Sequence, residues 1–390
     1  MFRSRMLAAV AVAVAAALTL AACGSSDSSS GGGGATAQSD LDWASSTTAK
    51  LFEGTDRPLP SSGPEAVTGK TVWAITCAAT APGCDMPAEG FADAAQHLGW
   101  TTKVVDGKLD PTVYNSSIRA AGAAHVDAVA LFGVDCSSTE GAIKAVQAEG
   151  VKVFGINALD CDDTYSSGGQ PLFDGSMKWG PDSSSYGDFL DDQVGPSIAA
   201  WVVDTTNGAG NILVMTEDDN ATTHHVGDAE VATLKAKCGG CTVNTVPYTG
   251  GDLVDGGVQS KLSAALQKYP DAGVVMTPVD ATILLGAGAA VEQARASGRT
   301  ILLVGEEGVP GSIALIKKGD QDFALGRPWT WTGWAAADAL NRFFAGDQQV
   351  DAGFGFGAMD ADHPPTSDVY DGNAKSAGYQ ANYLKIWGVS

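Results

Sequence analysis

Apolar positions follow a regular rhythm along most of the chain. Beginning with "TVWAITCA" (71–78), short apolar runs rich in β-branched residues alternate with stretches in which apolar and small residues recur at helical spacing. In the first of these stretches Phe91, Ala94, Ala95 and Leu98 fall at i, i+3, i+4 and i+7, which predicts a helix with one buried face. Apolar strands without polar alternation, separated by helices, are typical of a parallel sheet covered on both faces. The first predicted strands are 71–78, 101–107, 126–135 and 151–159.

The same rhythm restarts after a predicted helix at about 184–206. Further helices are expected at 223–237, 252–269 and 281–297, the last with a buried stripe formed by Leu284, Ala287, Gly288 and Val291. Two consecutive units of similar size predict an α/β protein with two doubly wound lobes. The predicted strands of the second unit are 211–218, 241–248, 272–280, 300–307 and 322–326.

Polar residues stand where the predicted strands end. Ligands of open parallel sheets bind beyond the carboxyl ends of the strands, and two lobes with facing strand ends form a cleft for a small molecule. Candidate ligand-binding residues at these ends are Thr76, Asp135, Asn157, Glu217, Asp280 and Glu307. Trp179 and Trp329 lie near predicted crossings between the lobes and could offer aromatic faces to a sugar, with Arg327 beside Trp329.

The beginning of the chain predicts export. Arg3 and Arg5 precede an uncharged apolar run from Met6 to Ala22, which has the size of a secretory signal. The segment "LAAC" (20–23) resembles the bacterial lipobox, which implies that 1–22 is removed and that Cys23 carries the lipid. The following residues are small and polar, so 23–65 is expected to be a lipid anchor and flexible tether.

Charge and cysteine content narrow the function further. The formal net charge of −22 opposes binding to nucleic acid, and we expect no nucleic-acid partner. Without Cys23, six cysteines remain in an oxidising compartment, an arrangement with fifteen possible pairings. Chain position favours Cys77–Cys84, Cys136–Cys161 and Cys238–Cys241, although the last pair could also be a redox Cys-x-x-Cys site.

Motifs for catalysis are missing from the sequence. "GPEAVTGKT" (63–71) is one residue too long for a P-loop and precedes a strand, and neither Gly-x-Ser-x-Gly nor His-Glu-x-x-His occurs. Adjacent histidines on a helix point in different directions, which disfavours a metal site at His224 and His225. We therefore expect a binding protein, with no cofactor and no metal, and not an enzyme.

Several stretches in order resemble the type I periplasmic solute-binding proteins of the ribose and galactose group, which supply ABC importers. The resemblance covers about 70–346 and rests on four quoted stretches: "VDAVALFGVD", "AIKAVQAEGVKVFGIN", "VVMTPVDATILLGAGAAVEQARASG" and "ILLVGEEGVPGSIALIKKGDQDFALGRPWTWTGWAAADAL". It implies two lobes joined by three hinge strands that close on a ligand. The implied lobes are 66–182 with 328–352 and 183–327 with 353–390.

The resemblance also assigns positions in the cleft. It places a sugar-contacting loop at 76–91, which includes Phe91, and puts Asn157 where the family has a carboxylate. His224 or His225 would face the cleft from the other lobe, Glu306 and Glu307 would follow a strand of that lobe, and Arg327 replaces a hinge glutamine.

The implied function is capture of a small polar solute, with a carbohydrate as the leading ligand class, by a monomeric lipid-anchored receptor on the outer side of the cell membrane. The partners would be the permease subunits of an ABC importer. A sensor that presents its closed form to a receptor kinase, and a binder of a nucleoside or an amino-acid derivative, are the alternatives.

Overall fold

Two β-sheets organise the chain in the computed structural model, which describes residues 34–166, 168–374 and 376–389. The first sheet has the order β2-β1-β3-β4-β5 and is parallel throughout. The second has the order β11-β10-β9-β8-β6-β7 and is parallel except for the antiparallel pair β10–β11. The strands are β1 Thr71–Thr76, β2 Thr101–Asp106, β3 Ala128–Phe132, β4 Lys152–Ile156, β5 Gly175–Ser176, β6 Ala209–Glu217, β7 Gly240–Tyr248, β8 Val274–Met276, β9 Leu302–Glu307, β10 Phe323–Gly326 and β11 Gly357–Asp360.

Helices connect the strands of each sheet, as the alternating pattern predicts. The helices are α1 Gln38–Glu53, α2 Pro82–His97, α3 Pro111–Ala123, α4 Glu140–Ala148, α5 Tyr186–Phe189, α6 Gly195–Thr205, α7 Ala221–Lys237, α8 Gly250–Asp255, α9 Gly257–Lys268, α10 Asp280–Thr282, α11 Gly288–Ala296, α12 Pro310–Lys318, α13 Trp329–Ala345 and α14 Tyr379–Trp387. None of the helices in the described part of the chain is both long and apolar enough to cross a membrane.

Both faces of the first sheet are buried. In β3, Ala128 and Ala130 belong to the core cluster on one face, whereas Val129 and Leu131 belong to the cluster on the other. Consecutive strand residues point to opposite faces, so burial of both sets requires helices on both sides. The predicted doubly wound α/β architecture with two lobes is confirmed. We call the lobe of the first sheet the N-lobe and that of the second sheet the C-lobe.

The predicted helix at 281–297 is kinked at Gly286, whose φ of 163° and ψ of −41° are not helical. The helical phase changes at this kink, so that Ile283 is buried and Leu284 is 39% exposed. The predicted buried stripe is therefore wrong at Leu284 and correct at Ala287 and Val291.

The expected tether contains a docked helix, so the prediction of a flexible 23–65 is wrong over α1. Ala44 and Leu51 of α1 are at most 2% exposed and join the main apolar core. Lys237 on α7 forms an ion pair with Asp40 at 3.0 Å, which attaches α1 to the C-lobe. Leu41, Ala44 and Leu51 recur at helical spacing, a signal that the small polar residues before them concealed. The predicted signal peptide 1–22 and the lipidation site Cys23 lie outside the described residues.

The last helix also departs from the prediction, which placed 353–390 in the C-lobe. Strand β11 does pair with β10 of the C-lobe. Helix α14, however, packs on α13, with the Trp387 ring stacked 5.8 Å from that of Trp334 and its Nε1 donating to Asp338 Oδ1 at 2.8 Å. Because α13 packs against α2, α14 belongs to the N-lobe. The other lobe boundaries stay predictions.

Within the described residues the chain passes between the lobes five times, not only at the three expected hinges. The three expected passages lie near 177–185, 327–328 and 346–356. The two additional passages are 54–61, between α1 and the N-lobe, and 361–378, between β11 and α14. Arg57, in the first additional passage, forms a bidentate ion pair with Asp351, both distances being 2.8 Å.

The six remaining cysteines form the three disulfides that chain position favoured: Cys77–Cys84, Cys136–Cys161 and Cys238–Cys241. The first closes the loop between β1 and α2, and the second joins the residues that follow β3 and β4. Both therefore stabilise loops at the carboxyl ends of N-lobe strands.

The buried face of α1 provides a test of the docked helix. Leu51→Ala should lower the free energy of unfolding by about 2–5 kcal/mol, since it removes a buried side chain from the core. Urea denaturation measures this, with the exposed neighbour Lys50→Ala as the control, which should change stability by less than about 0.5 kcal/mol. A Leu51→Ala variant as stable as the wild type would contradict a packed helix.

Candidate functional site

A cleft separates the carboxyl ends of the two parallel sheets. Its free space is about 860 Å³, counting the part that is open to solvent. Residues of both lobes and of the crossings line it. Of the residues predicted from sequence, those that line the cleft are Asn157, Glu217, Glu307, Arg327 and Trp329, together with Glu306.

Asn157 lies directly after β4 on the N-lobe wall. Its φ of +39° is in the left-handed region, which asparagine tolerates better than most residues. Its Nδ2 donates to the carbonyl of Gly83 at 3.4 Å, whereas its buried Oδ1 has no partner among the described residues. Gly83 in turn lies against Glu307 of the C-lobe, and a Cβ atom at position 83 would collide with that carboxylate.

Arg327 forms the floor of the cleft where the chain crosses from β10 to α13. Its Nη1 contacts Glu306 Oε1 at 3.1 Å, and its Nη2 donates to Tyr186 Oη at 2.9 Å. The guanidinium carbon lies 4.2 Å from the centroid of the Trp329 ring. Although burial favours neutral arginine, the contacts with Tyr186 and Glu306 raise its pKa, so the side chain remains charged.

Carboxyl groups crowd the C-lobe side of this floor. Burial, the largest cause, raises the pKa of Asp280 to about 8, and it also raises the pKa values of Glu306 and Glu307. Mutual repulsion adds to the effect, whereas Arg327 stabilises the charge of Glu306. Of these three carboxyl groups, only Glu306 forms an ion pair with Arg327 among the described residues. Glu307 is held in place by the backbone N–H of Asp280, 3.0 Å from its Oε2, and has a φ of +88°.

Glu217 lies at the end of β6, on another part of the C-lobe wall. Tyr248 Oη donates to its Oε2 at 3.1 Å. Burial, with the charge of Asp219, raises the pKa of Glu217 to about 7. Apolar side chains complete the lining, with Leu253 and Leu285 on the C-lobe side and Leu109 on the N-lobe side.

Several predicted ligand contacts are part of the core instead. Thr76 is fully buried in β1, and Phe91 packs on Phe132, with ring centroids 5.6 Å apart. Trp179 packs on Tyr186 and on Phe354 at the crossings, at centroid distances of 4.5 and 5.9 Å. The structure does not bring these three residues to the cleft.

Asp135, His224 and Asp280 also lie outside the cleft wall. Asp280 Oδ2 accepts a hydrogen bond from the backbone N–H of Val309 at 3.2 Å, so it supports the loop after β9. Asp135 Oδ1 accepts from the backbone N–H of Leu159 at 2.9 Å, and burial raises its pKa to about 6. His224 stacks on the ring of Tyr165 of the N-lobe at 4.2 Å.

His225, the other histidine considered for the cleft, instead joins the two lobes. Its Nε2 lies 2.9 Å from Asp163 Oδ2 of the N-lobe, and its Nδ1 lies 2.9 Å from Asp191 Oδ1 of the C-lobe. Beside it, Tyr165 Oη donates to Asp228 Oδ2 on α7 at 2.7 Å. Burial disfavours the charged imidazole, but the two carboxylates outweigh it and raise the pKa of His225.

Sequence reasoning missed Tyr186, whereas the predicted Cys77–Cys84 disulfide lines the cleft within the loop 76–91 that the resemblance assigned to ligand contact. Tyr186 begins the short helix α5 after the first crossing, where Ser185 caps the helix and fixes its start. The "SSYGD" capping pattern was the available signal for a defined backbone there, although no pattern indicated that Tyr186 would reach Arg327.

The His225 contact predicts a pH dependence. In an unfolded chain the pKa of histidine is near 6.5. When folding raises this pKa, the protonated histidine stabilises the folded protein fully at pH values below about 6.5, and this stabilisation is lost as the pH rises through the pKa of the folded state. The stability difference between the wild type and His225→Gln should therefore be largest near pH 6 and shrink at higher pH. The acidic groups that face His225 are Asp163 and Asp191, which contact it, and Asp135 nearby.

Urea denaturation at several pH values above 6 measures this difference. His224→Gln is the matched control, since His224 is partly exposed and 3.5 Å from its only carboxylate partner in the described residues. A stability difference for His225→Gln that does not change with pH would contradict the charged bridge.

Comparisons with known proteins agree with this architecture. Residues 78–348 match the model of the family described as "Periplasmic binding protein domain". A search of curated protein sequences gives no significant match.

Many solved structures are similar in fold. One is an ABC transporter solute-binding protein from Agrobacterium vitis bound to α-D-tagatopyranose, with 19% identity, coverage of 77% of this chain and 98% of that chain, and a TM-score of 0.64. Another, from Mycobacterium smegmatis with bound glycerol, has 19% identity, coverage of 77% and 99%, and a TM-score of 0.60. A glucose-galactose binding protein from Geobacillus stearothermophilus has 15% identity, coverage of 76% and 99%, and a TM-score of 0.61.

At these identities the solved structures support the fold, and the family match covers more than half of the chain. The chain therefore belongs to the family described as periplasmic binding protein domain.

Proposed function

We propose that the protein captures a small polar solute in the cleft between its lobes, outside the cytoplasm, and delivers it to the permease of an ABC importer. The ligand class that we favour is a carbohydrate, because similar structures hold tagatopyranose, allitol, D-arabinose and glycerol. The protein acts by binding and hinge closure and carries out no chemical step.

The observation that supports this proposal is a set of buried polar atoms at the cleft without protein partners. Asn157 Oδ1, Glu306 Oε2 and Trp329 Nε1 have no hydrogen-bond partner among the described residues. Each belongs to a residue that lines the cleft and is at most 5% exposed. Buried polar atoms without partners cost free energy, and a hydroxyl-rich ligand between the lobes would supply the missing hydrogen bonds.

Closure on the ligand follows from the position of these atoms. Asn157 belongs to the N-lobe, Glu306 to the C-lobe and Trp329 to a crossing, so one ligand that contacts all three is favoured only when the lobes are together. The ligand thereby stabilises the closed arrangement, and a permease that contacts both lobes can distinguish it from the open one.

A thermal-shift screen of sugars, polyols, nucleosides and amino acids tests the proposal. A ligand at 100 times its dissociation constant adds about 2.7 kcal/mol to the stability of the wild type. Asn157→Gly should abolish this gain without lowering the melting temperature of the free protein, because glycine accepts the positive φ. The control Asn244→Ala, on β7 away from the cleft, should keep the full gain. A ligand that stabilises Asn157→Gly as much as the wild type would place the site elsewhere.

We also propose that Cys23 anchors the mature protein to the outer face of the membrane through its lipid. Stable anchoring requires two or more hydrophobic chains, which a diacylglycerol-modified cysteine supplies. Cys23→Ala should therefore move the protein from the membrane fraction to the soluble fraction or the medium, as measured by fractionation and immunoblotting. Ser25→Ala is the control and should remain with the membrane.

A further inference from the structure

The charges that line the cleft are unbalanced. Among the described residues of its wall there are three carboxyl groups, Glu217, Glu306 and Glu307, and one cation, Arg327; neither lysine nor histidine contributes. Arg327 is already paired with Glu306 at 3.1 Å. Glu217 and Glu307 therefore line a buried cavity without a cationic partner in the described chain.

The hydrogen bonds that these two acids do make come from neutral donors. Tyr248 donates to Glu217, and the backbone of Asp280 donates to Glu307. Such bonds satisfy oxygen lone pairs but leave the negative charge uncompensated, and an unpaired buried charge is far more costly than a neutral polar group. Burial accordingly raises the pKa of Glu217 to about 7 and raises that of Glu307 well above its ordinary value.

Unpartnered acceptors add a second, independent observation. Asn157 Oδ1 and Glu306 Oε2 are buried at the cleft and accept no hydrogen bond within the described residues. The ligand must therefore present several donors, and an anionic ligand would find no free cation among the described cleft residues, since Arg327 is paired with Glu306. A hydroxyl group satisfies an acceptor but does not compensate a charge, whereas an ammonium group does both.

The wall opposite the acids suits the body of a sugar ring. Trp329 presents an aromatic ring at the floor, and the Cys77–Cys84 disulfide, Pro82 and Leu109 form an apolar surface on the N-lobe side. The C–H face of a pyranose can pack on such a surface while its polar substituents reach the acids.

We propose that the natural ligand is a carbohydrate that carries a protonated amine, that is, an amino sugar or an amine-bearing polyol, with Glu217 and Glu307 as the residues that select for its positive charge. This inference rests on the proposed function, since it assigns a ligand class to the same cleft. The large negative charge of the whole chain also favours the approach of a cation.

Matched sugar pairs test the charge alone. Isothermal titration calorimetry at about pH 7.5 would compare D-glucosamine with D-glucose and D-galactosamine with D-galactose, since each pair differs by one amine in place of a hydroxyl. At least one amine should bind 10-fold or more tightly than its neutral partner. N-acetylglucosamine, which keeps the nitrogen but lacks the charge, should bind as weakly as glucose.

Glu217→Gln and Glu307→Gln test the assigned residues. Glutamine keeps the size of the side chain and an acceptor oxygen, and it removes a group whose charge would repel the neighbouring carboxylates. The ligand-free variants should therefore melt no lower than the wild type. Each variant should reduce the preference for the amine over its neutral partner to 3-fold or less. Gln193→Glu, outside the cleft lining, should leave the preference unchanged.

A proton readout separates a charge effect from a shape effect. An ammonium group next to Glu217 lowers its pKa, so amine binding near pH 6, where the sugar amine is already protonated in solution, should release protons; this is seen as a binding enthalpy that depends on the ionisation enthalpy of the buffer. The same measurement with Glu217→Gln should show a smaller release.

The outcomes distinguish this inference from the proposed function. Neutral sugars that bind as tightly as their amines, or an amine preference that survives both Gln variants, would overturn the inference and leave carbohydrate capture intact. If no sugar of either kind binds at millimolar concentration, both the inference and the proposed carbohydrate function are wrong.

Discussion

The buried ion pair between Arg327 and Glu306 joins the parts of the molecule on which binding depends. Glu306 ends a central strand of the C-lobe, Tyr186 follows the first crossing, and Trp329 begins the helix that packs on the N-lobe; the Arg327 guanidinium contacts all three. A buried ion pair of this kind holds its partners in a narrow range of geometries, because removing either partner leaves an uncompensated charge. The floor of the cleft and the crossing between β10 and α13 are therefore parts of one contact network.

The contacts between the lobes divide into those that a hinge motion preserves and those that it breaks. Arg57 and Asp351 pair within the crossings, so this contact can persist when the lobes open. His225 and Asp163 belong to opposite lobes beside the cleft, so they must separate for a ligand to enter by hinge opening. The two additional passages at 54–61 and 361–378 connect the same lobes again. Each further passage restricts relative motion, which favours bending about the crossings over independent movement of the lobes.

Residues of the candidate site could be predicted from the sequence where they stand at the ends of predicted strands. Asn157, Glu217 and Glu307, which line the cleft, were predicted because a parallel sheet presents its carboxyl ends at one edge. Arg327 was predicted instead from its place beside Trp329 and from the resemblance. Thr76, Asp135 and Asp280 stand at equivalent ends but point into the loops and the core. The direction of a side chain at a strand end depends on one or two backbone dihedrals, and those of Asn157 and Glu307 have unusual positive φ values that no pattern of polar and apolar residues reveals. The chemistry of the cleft, with its acids and its single guanidinium, became visible only when these directions were known.

The sequence by itself determined features that follow the order of the chain. These are the alternation of strands and helices, the two α/β units and the three disulfides, each between consecutive cysteines. Periodic burial and short-range spacing report these features because each depends on residues close together in sequence. The tertiary structure alone decided that α1 docks on the C-lobe and that α14 returns to the N-lobe, and it alone placed His225 between the lobes. Leu51 packs in a core built largely from residues far along the chain, and Trp387 lies against Asp338, 49 positions away. Apolar periodicity shows that one face of a helix such as α1 or α14 will be buried. Which surface that face packs against depends on the packing of the whole molecule.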